Sequence, residues 1–257
     1  MNGSCPCRVL WTMSEDDDAP VKLDPALGAA PPDYDMSWIV DGVRPFEEGV
    51  VGTLVPVRFE SYGRILHPAW RTNGSSIRWD AVAAWSGRKV HSLAEFVRVA
   101  SPAGRTSEPA SYLLPPKDGA LPHDALHSLK EVLRTHTATP NECFVGIWEG
   151  VGWIEPKEVR APRLRSPART HLVFEGDTDL LDHVGWIGFD GRLVQESPSV
   201  IWPADQAWFV ATDVDQESTY VGGTEALIKA LMADPGLEVW PAFSSDPITA
   251  GSDVINR

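Results

Sequence analysis

The stretch WFVATDVDQESTYVGGTEALIKAL, residues 208–231, contains the patterns of two strands, a turn and the start of a helix. Trp208 and Val210 alternate with Phe209 and Ala211, which is the two-residue period of a β-strand. DQES has the composition of a turn, and TYVGG gives a short second strand. Thr224 is a suitable N-cap for a helix over the residues that follow. The stretch therefore predicts a hairpin that leads into a helix.

Three acidic residues, Asp213, Asp215 and Glu217, occupy alternate positions in this stretch. If the first strand continued through them, their carboxylates would share one face and could hold a hard cation, which takes several oxygen ligands. Their spacing lacks the glycine and the terminal glutamate of a calcium loop. The glycines before Thr224 also lack the lysine of a nucleotide-binding loop. The pattern favours acids placed at a turn, and we assign no metal to them.

The rest of the chain mixes helix and strand patterns without regular alternation. Helical spacing predicts helices over residues 79–87, 92–100 and 121–137, and alternation predicts strands over residues 54–67 and 171–176. Residues 143–155, CFVGIWEGVGWIE, predict a second hairpin, and residues 101–119 predict a long loop. This order predicts an α+β fold with a mixed, mainly antiparallel sheet and several short helices packed on it.

The first 35 residues have a different composition from the rest. They contain seven acidic and two basic residues and show no apolar periodicity. Such a segment does not bury enough apolar surface to order itself. We therefore expect a disordered acidic tail over residues 1–35 and a single α+β domain over residues 36–257.

The chain has 257 residues and a net charge of -14, which opposes binding to nucleic acid or to an anionic membrane and favours a basic protein partner. No apolar run is long enough to span a membrane, and the N-terminus lacks the pattern of a secretory signal. We therefore expect a soluble, cytoplasmic protein. The sequence does not define an oligomeric state.

Other motifs give little support for catalysis. His123 and His127 have the spacing of a zinc pair, but Asp124 stands where a zinc hydrolase carries glutamate, and no third ligand follows. Cys143 lies in an apolar run, which favours an inert core thiol. There is no nucleophile elbow and no dinucleotide fingerprint. We predict no cofactor.

Three segments resemble a family of uncharacterised actinobacterial proteins: RFESYGRILHPAW, CFVGIWEGVGW and SPSVIWPADQAWFVATDVDQESTYVGGTEALIKALMADPGLEVWP. This resemblance spans residues 58–241 and implies an intracellular protein without indicating an activity. In layout the chain also resembles SUKH-type immunity proteins, through the EGVGW turn, the Trp202-Pro203 step and a strand passing into a helix near the C-terminus. That resemblance implies binding to a toxin.

We hypothesise a non-catalytic binding protein that recognises a basic protein partner. Tryptophan is frequent at binding surfaces, and acidic side chains complement a basic surface. The candidate binding residues are Trp148, Trp153, Trp202, Asp213, Asp215 and Glu217. The alternative is a metal-dependent or carboxylate-based hydrolase that uses Asp213, Asp215 and Glu217, because carboxylate pairs leave no signature in the linear sequence.

Overall fold

The computed structural model describes residues 22–102, 113–188 and 190–257. The strands are β1 Lys22–Leu23, β2 Gly28–Ala29, β3 Ser61–Leu66, β4 Ala69–Arg71, β5 Ser76–Ile77, β6 Leu113–Leu114, β7 Cys143–Trp148, β8 Arg163–Arg165, β9 Thr170–Gly176, β10 Gly185–Ile187, β11 Leu193–Gln195, β12 Val200–Pro203, β13 Phe209–Ala211, β14 Ser218–Gly223 and β15 Val239–Ala242. The α-helices are α1 Ser37–Val40, α2 Trp79–Ser86, α3 Phe96–Val99, α4 His123–Arg134 and α5 Glu225–Ala233. Three 3₁₀ helices cover Phe46–Glu48, Val51–Thr53 and Thr178–His183. None of the helices in these ranges is both long enough and apolar enough to cross a membrane.

A nine-stranded sheet forms the centre of the molecule, in the order β15-β3-β14-β13-β12-β7-β9-β2, with β8 also paired to β9. Two three-stranded sheets accompany it, β1-β10-β11 and β5-β4-β6. Every strand pair is antiparallel. The predicted α+β class with a mainly antiparallel sheet is confirmed.

The alternation in β13 directs side chains into two cores. Trp208 and Val210 join the core that contains the apolar residues of α4 and α5. Phe209 and Ala211 join the core on the opposite face, with residues of α1 and β12. Because successive side chains of a strand point to opposite faces, the sequence pattern predicted this division correctly.

The helix after β14 begins where its capping residue indicates. Thr224 Oγ1 accepts a hydrogen bond from the backbone N–H of Leu227 at 3.2 Å. Glu225 lies in the first turn and pairs with Lys229 at 2.8 Å. The predicted hairpin and helix start over residues 208–231 are thus confirmed.

A third apolar cluster joins α2 and α3 to the sheet. The rings of Trp79 and Phe96 lie 5.3 Å apart. Buried Glu238, directly before β15, accepts hydrogen bonds from the backbone N–H groups of Trp79 at 2.7 Å and Asp80 at 2.9 Å. These bonds satisfy free N–H groups at the start of α2 and hold α2 against the start of β15.

Two predicted elements are shorter than expected. The strand predicted over residues 54–67 begins only at Ser61, because the Tyr62 hydroxyl holds the preceding chain in a turn. It donates to the Pro56 carbonyl at 3.0 Å and accepts from the Phe59 N–H at 3.2 Å. The helix predicted over residues 92–100 covers only α3, because Glu95 has an extended backbone.

The hairpin predicted over residues 143–155 is wrong in its second strand. β7 ends at Trp148, and its partners are β9 and β12. Residues 149–155 form turns instead, which bring Ile154 into the core. Part of the loop predicted over residues 101–119 lies outside the described residues, and its later part contains β6.

The predicted acidic tail is described only from residue 22, and residues 1–21 lie outside the described ranges. From that point the chain contacts the sheets: β1 pairs with β10 and β2 pairs with β9. Ala30 is buried, and the Tyr34 ring stacks on Phe144 at 4.1 Å. Residues 22–35 are therefore part of the packed structure, in contrast to the boundary expected at residue 35.

The central sheet ends at β15 and at β2. Directly before β15, the Glu238 carbonyl accepts a hydrogen bond from the Leu66 N–H at 2.9 Å, so the alternation of an antiparallel ladder places Pro241 opposite Gly63 in a non-hydrogen-bonded pair. The nitrogen of Pro241 therefore faces the free edge. Edge positions of this kind tolerate proline because no ladder hydrogen bond is lost.

Candidate functional site

The connection between β13 and β14 separates the three acidic residues of the opening stretch. A tight turn follows β13, in which the Gln216 N–H donates to the Asp213 carbonyl at 3.0 Å. Asp213 and Asp215 contact Arg169, whereas Glu217 contacts α3. The strand therefore does not continue through all three acids. Nowhere in the described ranges do three or more histidine, cysteine or acidic side chains form a group that could hold a metal ion.

Arg169, directly before β9, holds both aspartates of this turn. Its guanidinium contacts the two carboxylate oxygens of Asp213 at 3.1 Å each and one oxygen of Asp215 at 2.6 Å. Asp213 is buried, with 8% of its surface exposed. The hydrogen bonds to Asp213 raise the pKa of Arg169 further, against the opposing effect of burial. A bidentate pair of this kind stabilises the turn.

Of the predicted tryptophans, only Trp148 lies at this cluster. Its ring lies 5.1 Å from the Arg169 guanidinium, and its backbone N–H donates to Ser199 Oγ at 3.1 Å. Trp153 is half-buried against the core below α4. Trp202 is fully buried, and its ring stacks between Phe144 and Phe209. Trp202 is a core residue and offers no surface to a partner, in contrast to the prediction.

His171, in β9, lies two residues after Arg169 and is buried, with 5% of its surface exposed. Burial lowers its pKa to about 4, so the ring is neutral at pH 7. Its Nδ1 atom has no hydrogen-bond partner among the described residues. The ring lines a small cavity of about 30 Å³ together with Arg169, Ser199, Thr212 and Asp213. The Ser199 hydroxyl oxygen accepts a hydrogen bond from the backbone N–H of Trp148.

A larger opening lies on the other side of the turn, and we call it the acidic cleft. It has a volume of about 260 Å³. Four carboxylates line it, together with Arg64, Tyr220 and an apolar wall; the carboxylates are Glu95, Asp118, Asp215 and Glu217, and the wall includes Leu93, Val97, Ile248 and Ala250. Two of the predicted site residues, Asp215 and Glu217, therefore lie in one cleft.

Glu217 is the half-buried carboxylate of the acidic cleft. Its Oε1 accepts a hydrogen bond from the Phe96 N–H at 2.8 Å. Burial raises its pKa, and the nearby charges of Asp118 and Glu95 raise it further, while the Phe96 N–H and Arg64 act in the opposite direction. Its negative charge is therefore poorly compensated by the protein.

Arg64 and Tyr220 face each other in neighbouring strands, β3 and β14. The Arg64 guanidinium donates to Ser218 Oγ and to the carbonyls of Ser92 and Ala94, each at 2.9 Å. Its hydrogen-bond partners within the described residues are all uncharged. Tyr220 is 3% exposed, and its hydroxyl has no hydrogen-bond partner in the same set of residues. Tyr220 lines the acidic cleft, so a ligand group in the cleft can reach it.

The C-terminal segment fixes the wall that carries Glu95. Glu95 contacts Arg98 at 3.0 Å and accepts from the Asp253 N–H at 3.3 Å. Burial by itself would raise the pKa of Asp253, but hydrogen bonds from Asn256, His91 and the Glu95 backbone lower it to about 2. Asp253 therefore stays ionised and holds the end of the chain against α3.

Sequence reasoning did not find most of the residues that surround the three acids. Arg169 is 44 residues from Asp213, and Phe96 is 121 residues from Glu217. No local pattern predicts contacts over such distances. Glu95 lies in the helix predicted over residues 92–100 and Tyr220 in a predicted strand, and neither pattern indicates a site.

No protein-family model matches the chain, and comparisons with curated proteins and with solved structures gave no significant match.

Proposed function

We propose that this chain is a binding protein that recognises a basic protein partner through the acidic cleft. One observation supports this most directly. The cleft gathers four carboxylates around one opening, in a chain whose net charge is -14. Complementary charge of this kind accelerates encounter with a basic partner and fixes its orientation.

The four carboxylates of the cleft do not contribute equally. Asp215 is paired with Arg169, and Glu95 is paired with Arg98. Asp118 has no ion-pair partner among the described residues, and Glu217 accepts only a backbone hydrogen bond there. A cationic side chain of the partner would therefore pair mainly with Glu217 and Asp118.

The resemblance to immunity proteins suggests what the partner is. A toxin with a basic surface has the required charge, and its cationic side chain would enter the acidic cleft. Trp148 lies beyond Asp215, against Arg169, and would contact the partner at the edge of the interface. Non-catalytic binding needs none of these groups to transfer a proton.

The test is affinity capture from the host with the full chain as bait. Asp118→Asn/Glu217→Gln removes the two uncompensated carboxylates, and Asp124→Asn/Glu47→Gln removes the same charge from exposed positions outside the cleft. We expect the wild type and the control variant to capture the same basic protein, identified by mass spectrometry. The cleft variant should lose it, and capture should weaken as salt rises. Capture of no basic protein, or equal capture by the cleft variant, would contradict the proposal.

A carboxylate-based hydrolase is the second candidate, and one observation favours it. Burial would raise the pKa of Glu95, but hydrogen bonds from Arg98 and from backbone N–H groups lower it, whereas the pKa of Glu217 is raised in the same cleft. Enzymes with two catalytic carboxylates keep one protonated and the other ionised in this way. A panel of chromogenic esters, glycosides and phosphoesters tests it. Hydrolysis that is lost in both Glu217→Gln and Glu95→Gln supports a hydrolase, and activity unchanged by either variant excludes this pair.

A further inference from the structure

We infer that the acidic cleft selects a guanidinium group over an ammonium group, so that the partner's side chain bound there is an arginine. This inference rests on the proposed function and adds the identity of the recognised group. The observation behind it is that Asp118, Glu217 and Tyr220 line the same cleft, in addition to the negative charge of the cleft.

The free acceptors of the cleft suit a donor with several N–H groups. The Tyr220 hydroxyl has no partner within the described residues, and Glu217 uses one oxygen for the Phe96 N–H, which leaves the other available. Asp118 is exposed at the same cleft. A guanidinium presents five N–H donors in one plane and can serve these acceptors together, whereas an ammonium is a compact point charge with three donors.

The burial of Tyr220 and the partial burial of Glu217 favour the same group. Tyr220 is 3% exposed, and burial raises the pKa of both Tyr220 and Glu217. A cation that enters this part must lose water. An ammonium is more strongly hydrated than a guanidinium, so its desolvation on entry costs more free energy.

The apolar wall of the cleft fits the stem of the side chain. Leu93, Val97, Ile248 and Ala250 lie along the opening. They can contact the methylene groups of an arginine while its head reaches the acceptors. A lysine stem would make similar contacts, so the wall contributes affinity and the acceptors contribute selectivity.

Arg64 carries a like charge beside the cleft, and its position does not reverse the preference. Its guanidinium is held by Ser218 Oγ and by the carbonyls of Ser92 and Ala94. Its repulsion acts on any cation that enters, whether ammonium or guanidinium. The repulsion therefore lowers the affinity for both groups. The ratio of the two affinities is set by the acceptors of the cleft.

The experiment titrates the full chain with N-acetyl-arginine amide, N-acetyl-lysine amide and N-acetyl-citrulline amide, using calorimetry or NMR shifts. We expect the arginine probe to bind about tenfold more tightly than the lysine probe, and the uncharged citrulline probe to bind weakest. Tyr220→Phe should reduce arginine affinity about threefold to tenfold and leave lysine affinity unchanged, because it removes only the hydroxyl.

A second variant protects this test against a failure to fold. Asp118 is exposed, so Asp118→Asn should keep the structure and reduce binding of both cationic probes. Equal binding of arginine and lysine would overturn the selectivity and leave the proposed function standing. Binding of neither probe would overturn the inference as well, and the capture experiment then decides the proposed function on its own.

Discussion

The two sides of the β13–β14 turn use similar acidic residues in opposite ways. On one side Asp213 is bound by both arms of Arg169 at 3.1 Å. On the other side Glu217 faces the acidic cleft with one backbone N–H as its hydrogen-bond donor. A buried carboxylate with a full set of partners stabilises the fold, whereas a buried carboxylate with few partners is destabilising by itself and gains from a ligand. Sequence spacing alone does not distinguish these two cases.

The largest expected effect on stability comes from removing Arg169, the partner of Asp213. Arg169→Met leaves the carboxylate of Asp213 buried without its cation, and removing one partner of a buried pair costs roughly 3–5 kcal/mol of unfolding free energy. Urea unfolding at pH 7 measures this loss.

Arg163→Met is the matched control for this prediction. Arg163 pairs with Glu149 at 3.2 Å, with 31% and 35% of the two side chains exposed. We expect this variant to cost less than about 1 kcal/mol, as is usual for ion pairs in contact with solvent. Equal losses in the two variants would show that Asp213 does not depend on Arg169.

A smaller effect should appear in the pH dependence of stability. Burial lowers the pKa of His171 and of His67 to about 4. Both histidines are neutral in the folded chain, so the stability they contribute is complete above their unfolded pKa of about 6.5 and is lost as pH falls toward 4. The slope is at most about 1.4 kcal/mol per pH unit for each histidine.

Unfolding of the wild type and of His171→Phe between pH 7 and pH 4 measures this slope. The variant removes one titrating group with little change of volume, so its stability should fall less steeply with acid. Parallel curves would mean that folding does not lower the pKa of His171.

The smallest expected effect on stability concerns Glu217, the carboxylate with few partners. The pKa of Glu217 is raised by burial, so its contribution to stability is present below its unfolded pKa and is lost as pH rises. Glu217→Gln should therefore stabilise the chain at pH 7, by less than about 1 kcal/mol, and change little at pH 4. Thermal unfolding at both pH values checks this sign. Destabilisation at pH 7 would mean that Glu217 has a compensating partner in the fold.

The sequence predicted local structure well in residues 208–231, because alternation and capping depend on neighbouring residues. Trp208 and Phe209 enter different cores, and Thr224 caps α5, as their positions indicate. The second strand predicted after Trp148 failed because β7 pairs instead with β9, far along the chain.

The candidate site was predicted only in part, for the same physical reason. Asp215 and Glu217 do line the acidic cleft, but Glu95 reaches it from the N-cap of α3, Arg64 from β3 and Tyr220 from β14. Trp202 was expected in a binding surface, but tryptophan is common both in interfaces and in cores. The sequence does not distinguish the two places, and the structure buries this ring. Sheet pairing brings these elements together, and single-sequence patterns do not specify which strands pair.

Pro241 at the sheet edge restricts how another protein can bind this one. β-augmentation, in which a partner's strand adds to an exposed edge, needs an unbroken row of backbone donors and acceptors. Pro241 removes an outward donor from β15, and β2 at the opposite end has only two residues. Strand pairing through backbone hydrogen bonds, with a partner or with another copy of the chain, is therefore disfavoured at both edges of the central sheet. Specificity must then come from side chains, which can be changed one at a time without rebuilding the sheet.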